Sequence, residues 1–326
     1  MMKTDLEKIK GNFYTIHYSG EYVVLPGTKL YIFKTDGSLV ACRNDLRYAG
    51  RISFLSGNRM LLCSSKSTFH MINLCDGSDF WTTPYTKNEF NLSDLVVSHD
   101  ESFAYTYDQW KCSNFISQLD LQTHEVRIHD MYMDAGGTRG IICNEAGTPC
   151  LLKSLNETIG GKHFHQSGVR IHDFDDIAPG NTTTWETKWS FEGSRNSLRF
   201  LDSTDTIVTT DLHIYRPSTG AVLNLLENES SWHPLERSPF DCWLDISKRY
   251  LCLQYQTANT IIDIHARKVV AQYATDHNKG CLIGNEYWIC VGGRILRKPF
   301  PSFEEAPPVK RVGVMEWYAA KHPESC

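Results

Sequence analysis

Apolar and polar positions alternate along most of the chain with a period of two, in short runs cut by Gly, Asp, Ser and Thr. The stretch "FHMINLCDGSDFW" from Phe69 shows the unit: an alternating strand, an Asp-Gly turn and a second strand. That pattern is the signature of a β-hairpin. Related hairpins follow at "LYIFKTDGSLVAC" from Leu30, "ISQLDLQTHEVRI" from Ile116, "VRIHDFDDIAPGNTTTW" from Val169, "LHIYRPSTGAVLNL" from Leu212 and "TIIDIHARKVVAQY" from Thr260. A frayed copy, "RILRKPFPSFEE", begins at Arg294. The spacing of roughly 40–50 residues is that of four-stranded propeller blades.

A second hairpin precedes each of these, from "FYTIHYSGEYVVLPG" at the start to "CLIGNEYWICVGG" near the end. Two hairpins per repeat make four strands. A twisted four-stranded sheet cannot bury both faces alone, whereas neighbours stacked around an axis bury them against one another. The expected fold is therefore all-β, a seven-bladed β-propeller of four-stranded antiparallel blades in a single domain. The blades are expected near residues 12–45, 50–84, 93–130, 137–192, 195–227, 239–276 and 279–320. The last repeat lacks an outer strand after "GRILRKPF", so a chain terminus is expected to close it. "TDLEKIK" at the start and "VKRVGVMEWY", residues 309–318, are the two candidates.

The repeats resemble the WD-repeat and quinoprotein-like β-propeller superfamily over about residues 12–300, through blade periodicity and outer hairpins such as "INLCDGSDFW" and "IYRPSTGAVL". No Trp-Asp or Gly-His dipeptide is present, and Thr219-Gly220 leads into "AVLNL" rather than toward a Trp. The resemblance implies a rigid disc that most often binds proteins or peptides and in some branches is an enzyme. Fold similarity by itself assigns no chemistry.

Connection lengths point to one face. Turns within the first and third strand pairs of each repeat are tight, as in "SGNR", "HDES", "DISK" and "TDGS". On the opposite rim, long varied loops are expected at residues 43–50, 82–91, 107–114, 129–138, 154–168 and 227–239. Long ordered loops usually serve a purpose. Within them Trp110 and Trp232 are the leading partner-binding candidates, because exposed tryptophan is favoured at binding hot spots. Tyr48, Tyr85 and Tyr132 are further candidates of the same kind.

Composition adds exclusions. A formal net charge of −5 without basic blocks argues against nucleic acid. No apolar leader and no run of eighteen apolar residues occurs, so no membrane association and a cytoplasmic location are expected. Eleven cysteines, with no C-x-x-C pair, read as reduced thiols packed as small hydrophobes. His163 and His165 in "KHFHQSGVRIHD" share one face of a strand and are weak metal candidates. Two histidines do not make a site, and neither a metal nor a cofactor is expected. No phosphate loop, nucleophile elbow or H-E-x-x-H is present. The function expected is a non-catalytic scaffold holding a protein or peptide on its long-loop face. The alternative is an enzyme or small-ligand binder acting on a sugar or organic acid in the central channel.

Overall fold

The computed structural model describes residues 5–11, 13, 15–47, 51–64, 68–85, 92–110, 113–130, 138–143, 149–159, 162–171, 189–192, 198–202, 206–209, 212–216, 221–226, 241–255, 257–275 and 280–304. Among them the strands form antiparallel sheets of consecutive strands, six with four strands and one with three. Sheet 1 comprises β1 (His17–Tyr18), β2 (Tyr22–Leu25), β3 (Leu30–Lys34) and β4 (Leu39–Arg43). Sheet 2 comprises β5 (Arg51–Leu55), β6 (Arg59–Ser64), β7 (Thr68–Asn73) and β8 (Asp79–Pro84). Sheet 3 holds β9 (Leu92–Val97), β10 (Phe103–Trp110), β11 (Ser113–Asp120) and β12 (Val126–Asp130), and sheet 4 holds β13 (Thr138–Cys143), β14 (Pro149–Ile159), β15 (Lys162–Ile171) and β16 (Trp189–Glu192). Sheet 5 is β17 (Leu198–Asp202), β18 (Thr206–Thr209), β19 (His213–Arg216) and β20 (Ala221–Asn224), and sheet 6 is β21 (Asp241–Leu244), β22 (Tyr250–Gln254), β23 (Ala258–Asp263) and β24 (Lys268–Ala274). Sheet 7 has β25 (Gly280–Ile283), β26 (Glu286–Val291) and β27 (Arg294–Pro299).

In sheets 1, 2, 6 and 7 the middle strands are buried on both faces, and strand parity decides which neighbour each residue meets. In sheet 1, Val23, Leu25 and Phe33 join Ile283, Trp288, Cys290 and Ile295 of sheet 7. The residues between them, Val24 and Ile32, join Met60, Leu62 and Ile72 of sheet 2. Sheet 2 then turns Leu61, Cys63, Phe69 and Met71 toward Leu95, Ala104 and Leu119 of sheet 3. The same alternation recurs in sheet 6, where Leu251 and Leu253 pack with Leu212 and Leu225 beside sheet 5. Cys252, Ile261 and Ala271 face the other way, onto Leu282, Tyr287 and Ile289 of sheet 7. Full burial of each aliphatic side chain contributes about 1.5–3 kcal/mol, so a one-residue slip of any middle strand would misplace two interfaces together.

First strands of successive sheets lie side by side, β5 with β9, β9 with β13 and β17 with β21, and β25 lies beside β1. The first sheet therefore packs on the last. The N-terminal segment fills that junction: Leu6, Phe13 and Ile16 are buried in the core shared by sheets 1 and 7. Leu6 N donates to Gly37 O at 3.2 Å, and Gly11 N donates to Gly293 O at 3.1 Å. Gly293 has φ +74° and a side chain there would stand 2.9 Å from Gly11 O, so glycine is what lets the two segments approach. The expectation that "TDLEKIK" might add a strand is corrected: it contains a short helix, α1 (Asp5–Lys8), lying against β27. Its acidic and basic residues at i and i+3, Asp5 and Lys8, form an ion pair suited to one helical turn. At the other end, residues 302–304 run parallel to β24 of sheet 6, with Gln272 N donating to Ser302 O and Glu304 N to Gln272 O, both at 2.9 Å. Residues 309–318 lie outside the described residues.

The tight turns share one device. Asp36, Asp76, Asp100 and Asp245 each accept from the backbone N and the hydroxyl of the serine two residues on. These Asx turns explain why Asp-x-Ser recurs at hairpin tips. The bonds from Ser98 and Ser102 hold the Asp100 carboxyl down at about 2, below its ordinary value of 3.8. A depressed carboxyl stabilises the fold above its unfolded pKa and loses that contribution as pH falls through the folded one. The urea midpoint should accordingly drop between pH 4 and pH 2, and the drop should be smaller in Asp100→Asn.

Thiol burial gives a second expectation. Cys63, Cys242, Cys252 and Cys290 are buried while Cys42 and Cys75 are exposed, and all six are thiols outside any disulfide. Desolvation pushes the Cys252 and Cys290 thiols up. An aromatic disulfide reagent at pH 8 should modify Cys42 and Cys75 within minutes, and the four buried thiols only after denaturant unfolds the chain.

Candidate functional site

The first strands of sheets 6, 7, 1 and 2 surround a cavity of about 280 Å³. Its aromatic wall is Tyr18 from β1, Phe54 from β5 and Trp243 from β21. Ile16, Ile52, Leu244 and Leu282 supply most of the rest. Gly280 at the start of β25 also lines it, and a side chain at that position would collide with the buried Tyr287 ring behind it. Glycine here lets the start of β25 lie directly against the Tyr287 ring of β26.

Polar groups in the wall are few: Thr15, His17, Asp245 and the Cys281 thiol. The Asp245 carboxylate is occupied by its own turn, accepting from Tyr250 N at 2.7 Å, Ser247 N at 3.0 Å and Ser247 Oγ at 2.5 Å. Burial pushes the Cys281 thiol up to about 12, so it is protonated at neutral pH and is not a nucleophile. Tyr18 is raised as well, chiefly by burial and then by Cys281 and Glu21, and its hydroxyl donates to Gly20 O at 2.6 Å. Lys and Arg are absent from this lining among the described residues. Asp245 is the one carboxylate among the described lining residues.

The cavity opens beside the tight turns. Ile246 sits at the tip of the sheet 6 turn and is 57% exposed. Its Cδ1 lies 3.3 Å from where a side chain would begin at Gly20, in the corresponding turn of sheet 1. Sequence reasoning put the partner contact on the other rim and, for the alternative in the central channel, named none of these residues. The signal was available in "DISK", where a large apolar residue occupies a turn whose counterparts "SGNR" and "HDES" carry none.

The expected long-loop rim is altered in two places. Residues 107–114 and 154–168, expected as loops, are largely strand. In β10 and β11 the pairing continues to Trp110↔Ser113, and in β14 and β15 it continues to Ile159↔Lys162. Alternation of β-prone residues such as Tyr105, Tyr107, Thr158 and Phe164 sustains pairing past the neighbouring strands. Because β9 reaches only Asp108 and β12 only Phe115, residues 109–110 and 113–114 pair with each other alone among the described residues. Likewise β13 stops at Lys153 and β16 at Gln166, leaving 156–159 and 162–165 as a two-stranded overhang. At 3.3 Å per residue that arm rises about 13 Å above its sheet.

Trp110 therefore stands at the tip of one overhanging hairpin, and His163 and His165 lie on the outgoing strand of the other. Tyr85 is corrected as a contact residue. It is 3% exposed, packs edge-on against Phe69 at 5.1 Å, and shares a 2.8 Å hydrogen bond with Ser117 Oγ inside the core of sheets 2 and 3. An apolar ring beside a Pro and before a polar loop reads as exposed, but β8 ends above that core. Trp232, Tyr48 and Tyr132 lie outside the described residues. No cluster of three metal-ligating side chains occurs among the described residues.

One polar network outside the cavity is structural. Arg43 forks onto Asp45 at 2.9 and 2.7 Å, reaches Asp79 at 2.8 Å and Gly77 O at 2.7 Å, and Asp79 also meets His70. The guanidinium holds the Asp45 carboxyl down at about 2. These bonds fasten the outer strands of sheets 1 and 2.

No protein-family model and no curated protein matches the chain. Solved structures do. The β-propeller domain of Cps50 (Swd1) from Myceliophteria thermophila is 12% identical with a TM-score of 0.59, covering 89% of this chain and 97% of that one. Hydrazine synthase of Kuenenia stuttgartiensis is 13% identical with a TM-score of 0.62, covering 91% and 97%. At this identity the likeness concerns fold. The chain has a β-propeller fold.

Proposed function

We propose that the chain is one closed ring of seven blades and acts as a non-catalytic scaffold that holds a protein or peptide on the rim above sheets 3 and 4. The observation that carries this reading is the pair of neighbouring hairpins, β10–β11 and β14–β15, that overhang their sheets on the same rim. Overhanging ribbons cost conformational entropy without adding to the inter-sheet core, so a partner surface is what makes their length useful. Trp110 at one tip supplies a rigid aromatic anchor. His163 and His165 lie beside the contact and need no metal for that role. In this reading the seventh blade takes its missing outer strand from residues 309–318, since α1 does not form one. The free cysteines fit a reducing compartment such as the cytosol. No helix among the described residues is long and apolar enough to cross a membrane.

An enzyme or small-ligand binder using the channel is the second reading, favoured by the cavity among the first strands. Its wall weighs against an organic acid, because a carboxylate there would meet no cation.

Affinity capture with the full chain from extracts of its native cell tests the scaffold. Trp110→Ala, and a variant with residues 156–165 replaced by Asn-Gly, should each weaken a captured partner by about tenfold or more, with the urea midpoint unchanged. Undiminished capture by both variants would refute the proposed rim.

A further inference from the structure

We propose that the cavity among the first strands of sheets 6, 7, 1 and 2 binds an uncharged molecule of about two rings, entering beside the tight turns. This site is on the opposite rim from the overhanging hairpins and is independent of the scaffold reading. Size sets the first limit. A dry cavity of about 150 Å³ accepts benzene, and this one, at about 280 Å³, has room for a second ring.

Wall chemistry sets the second limit. Tyr18, Phe54 and Trp243 present aromatic surface on three sides, drawn from three different sheets. Such a wall favours stacking and edge contacts with a ring. Polar groups are few in the lining, so a ligand with a single hydroxyl or amine matches it better than one with many. A saccharide, with a hydroxyl on nearly every carbon, would leave most of its polar groups unpaired against Ile16, Ile52 and Leu282. An anion would lose its hydration with no Lys or Arg among the described lining residues to replace it. It would also approach the Asp245 carboxylate at the mouth. The Cys281 thiol and the Tyr18 hydroxyl remain protonated through burial, and Asp245, the one carboxylate of the described lining, already accepts three hydrogen bonds from its own turn, so a cation finds no open carboxylate there. Binding, not reaction, is the outcome these groups support.

Access supports the same assignment. Ile246 projects from the sheet 6 turn with 57% of its surface exposed, close to Gly20 in the sheet 1 turn. An isolated exposed isoleucine is ordinary. One that borders the opening of an apolar cavity forms the rim against which a ring can slide inward.

The probe is 2-naphthol, uncharged at pH 7, titrated into the full chain and followed by calorimetry, with 2-naphthoate and glucose as comparators. Saturable binding of 2-naphthol with a dissociation constant at or below about 100 µM is expected, with 2-naphthoate at least tenfold weaker and glucose without effect. Ile52→Trp and Thr15→Phe fill the cavity from different strands and should each weaken 2-naphthol at least tenfold. Their folding is checked by circular dichroism and urea midpoint, and either folded variant suffices. Absence of saturable binding, equal affinity for 2-naphthoate, or undiminished affinity in a folded filling variant would overturn the site.

Discussion

Everything in this molecule depends on the two-residue alternation of a β-strand buried on both faces. A soluble antiparallel sheet commonly shows one face to water, and its outward residues are then polar. Here the middle strands have no outward face. Val23 and Val24, Leu61 and Leu62, or Cys252 and Leu253 differ by one position and belong to different inter-sheet cores. Sheets 1, 2, 6 and 7 are thus held in register from both sides, each sharing a core with two neighbours. The first sheet meets the last under the same rule, with Leu6 and Phe13 wedged where the two ends of the chain come together.

That constraint sets where function can reside. Residues that fix the inter-sheet cores are unavailable for contact, and tight turns are committed to Asx bonds that keep hairpins short. What remains is the edges of the disc and the space between first strands, which carry less of the packing. β1 has only two residues and both are half-buried, so its side chains face the inner lining as well as the stack. The overhanging hairpins of sheets 3 and 4 and the cavity beside β1, β5, β21 and β25 are the two places where the chain departs from the repeating plan. Neither departure is needed to close an inter-sheet core.

Much of the architecture was legible in the sequence because alternation and turn chemistry are local. "TDGS", "CDGS" and "DISK" announce their hairpins through Asp and Ser two apart, and the structure supplies the reason in the paired bonds to Asp36, Asp76 and Asp245. Lengths on the opposite rim were misjudged because polar residues in "YDQWKCSN" and "SLNETIGGKHFHQSG" read as loop, although an overhanging two-stranded ribbon is solvated and tolerates them. Tyr85 misled for the converse reason: a tyrosine near a Pro and a polar segment gives no hint that Ser117, on a strand of the next sheet, will meet its hydroxyl. The cavity wall was hidden for a third reason. Phe54, Tyr18 and Trp243 come from positions far apart in the chain and become a surface only when the sheets of both chain ends stand next to one another.

The central claim is that sheet 7 packs on sheet 1 as it packs on sheet 6. Amide hydrogen exchange of Trp288→Ala, measured in native conditions, tests it most directly. Trp288 lies in the core shared with Val23, Leu25 and Phe33, so removing the indole should speed exchange in β2 and β3 of sheet 1 as well as in sheet 7, with β6 and β7 of sheet 2 less affected. Acceleration confined to sheets 6 and 7, with β2 and β3 exchanging as in the unaltered protein, would contradict the account.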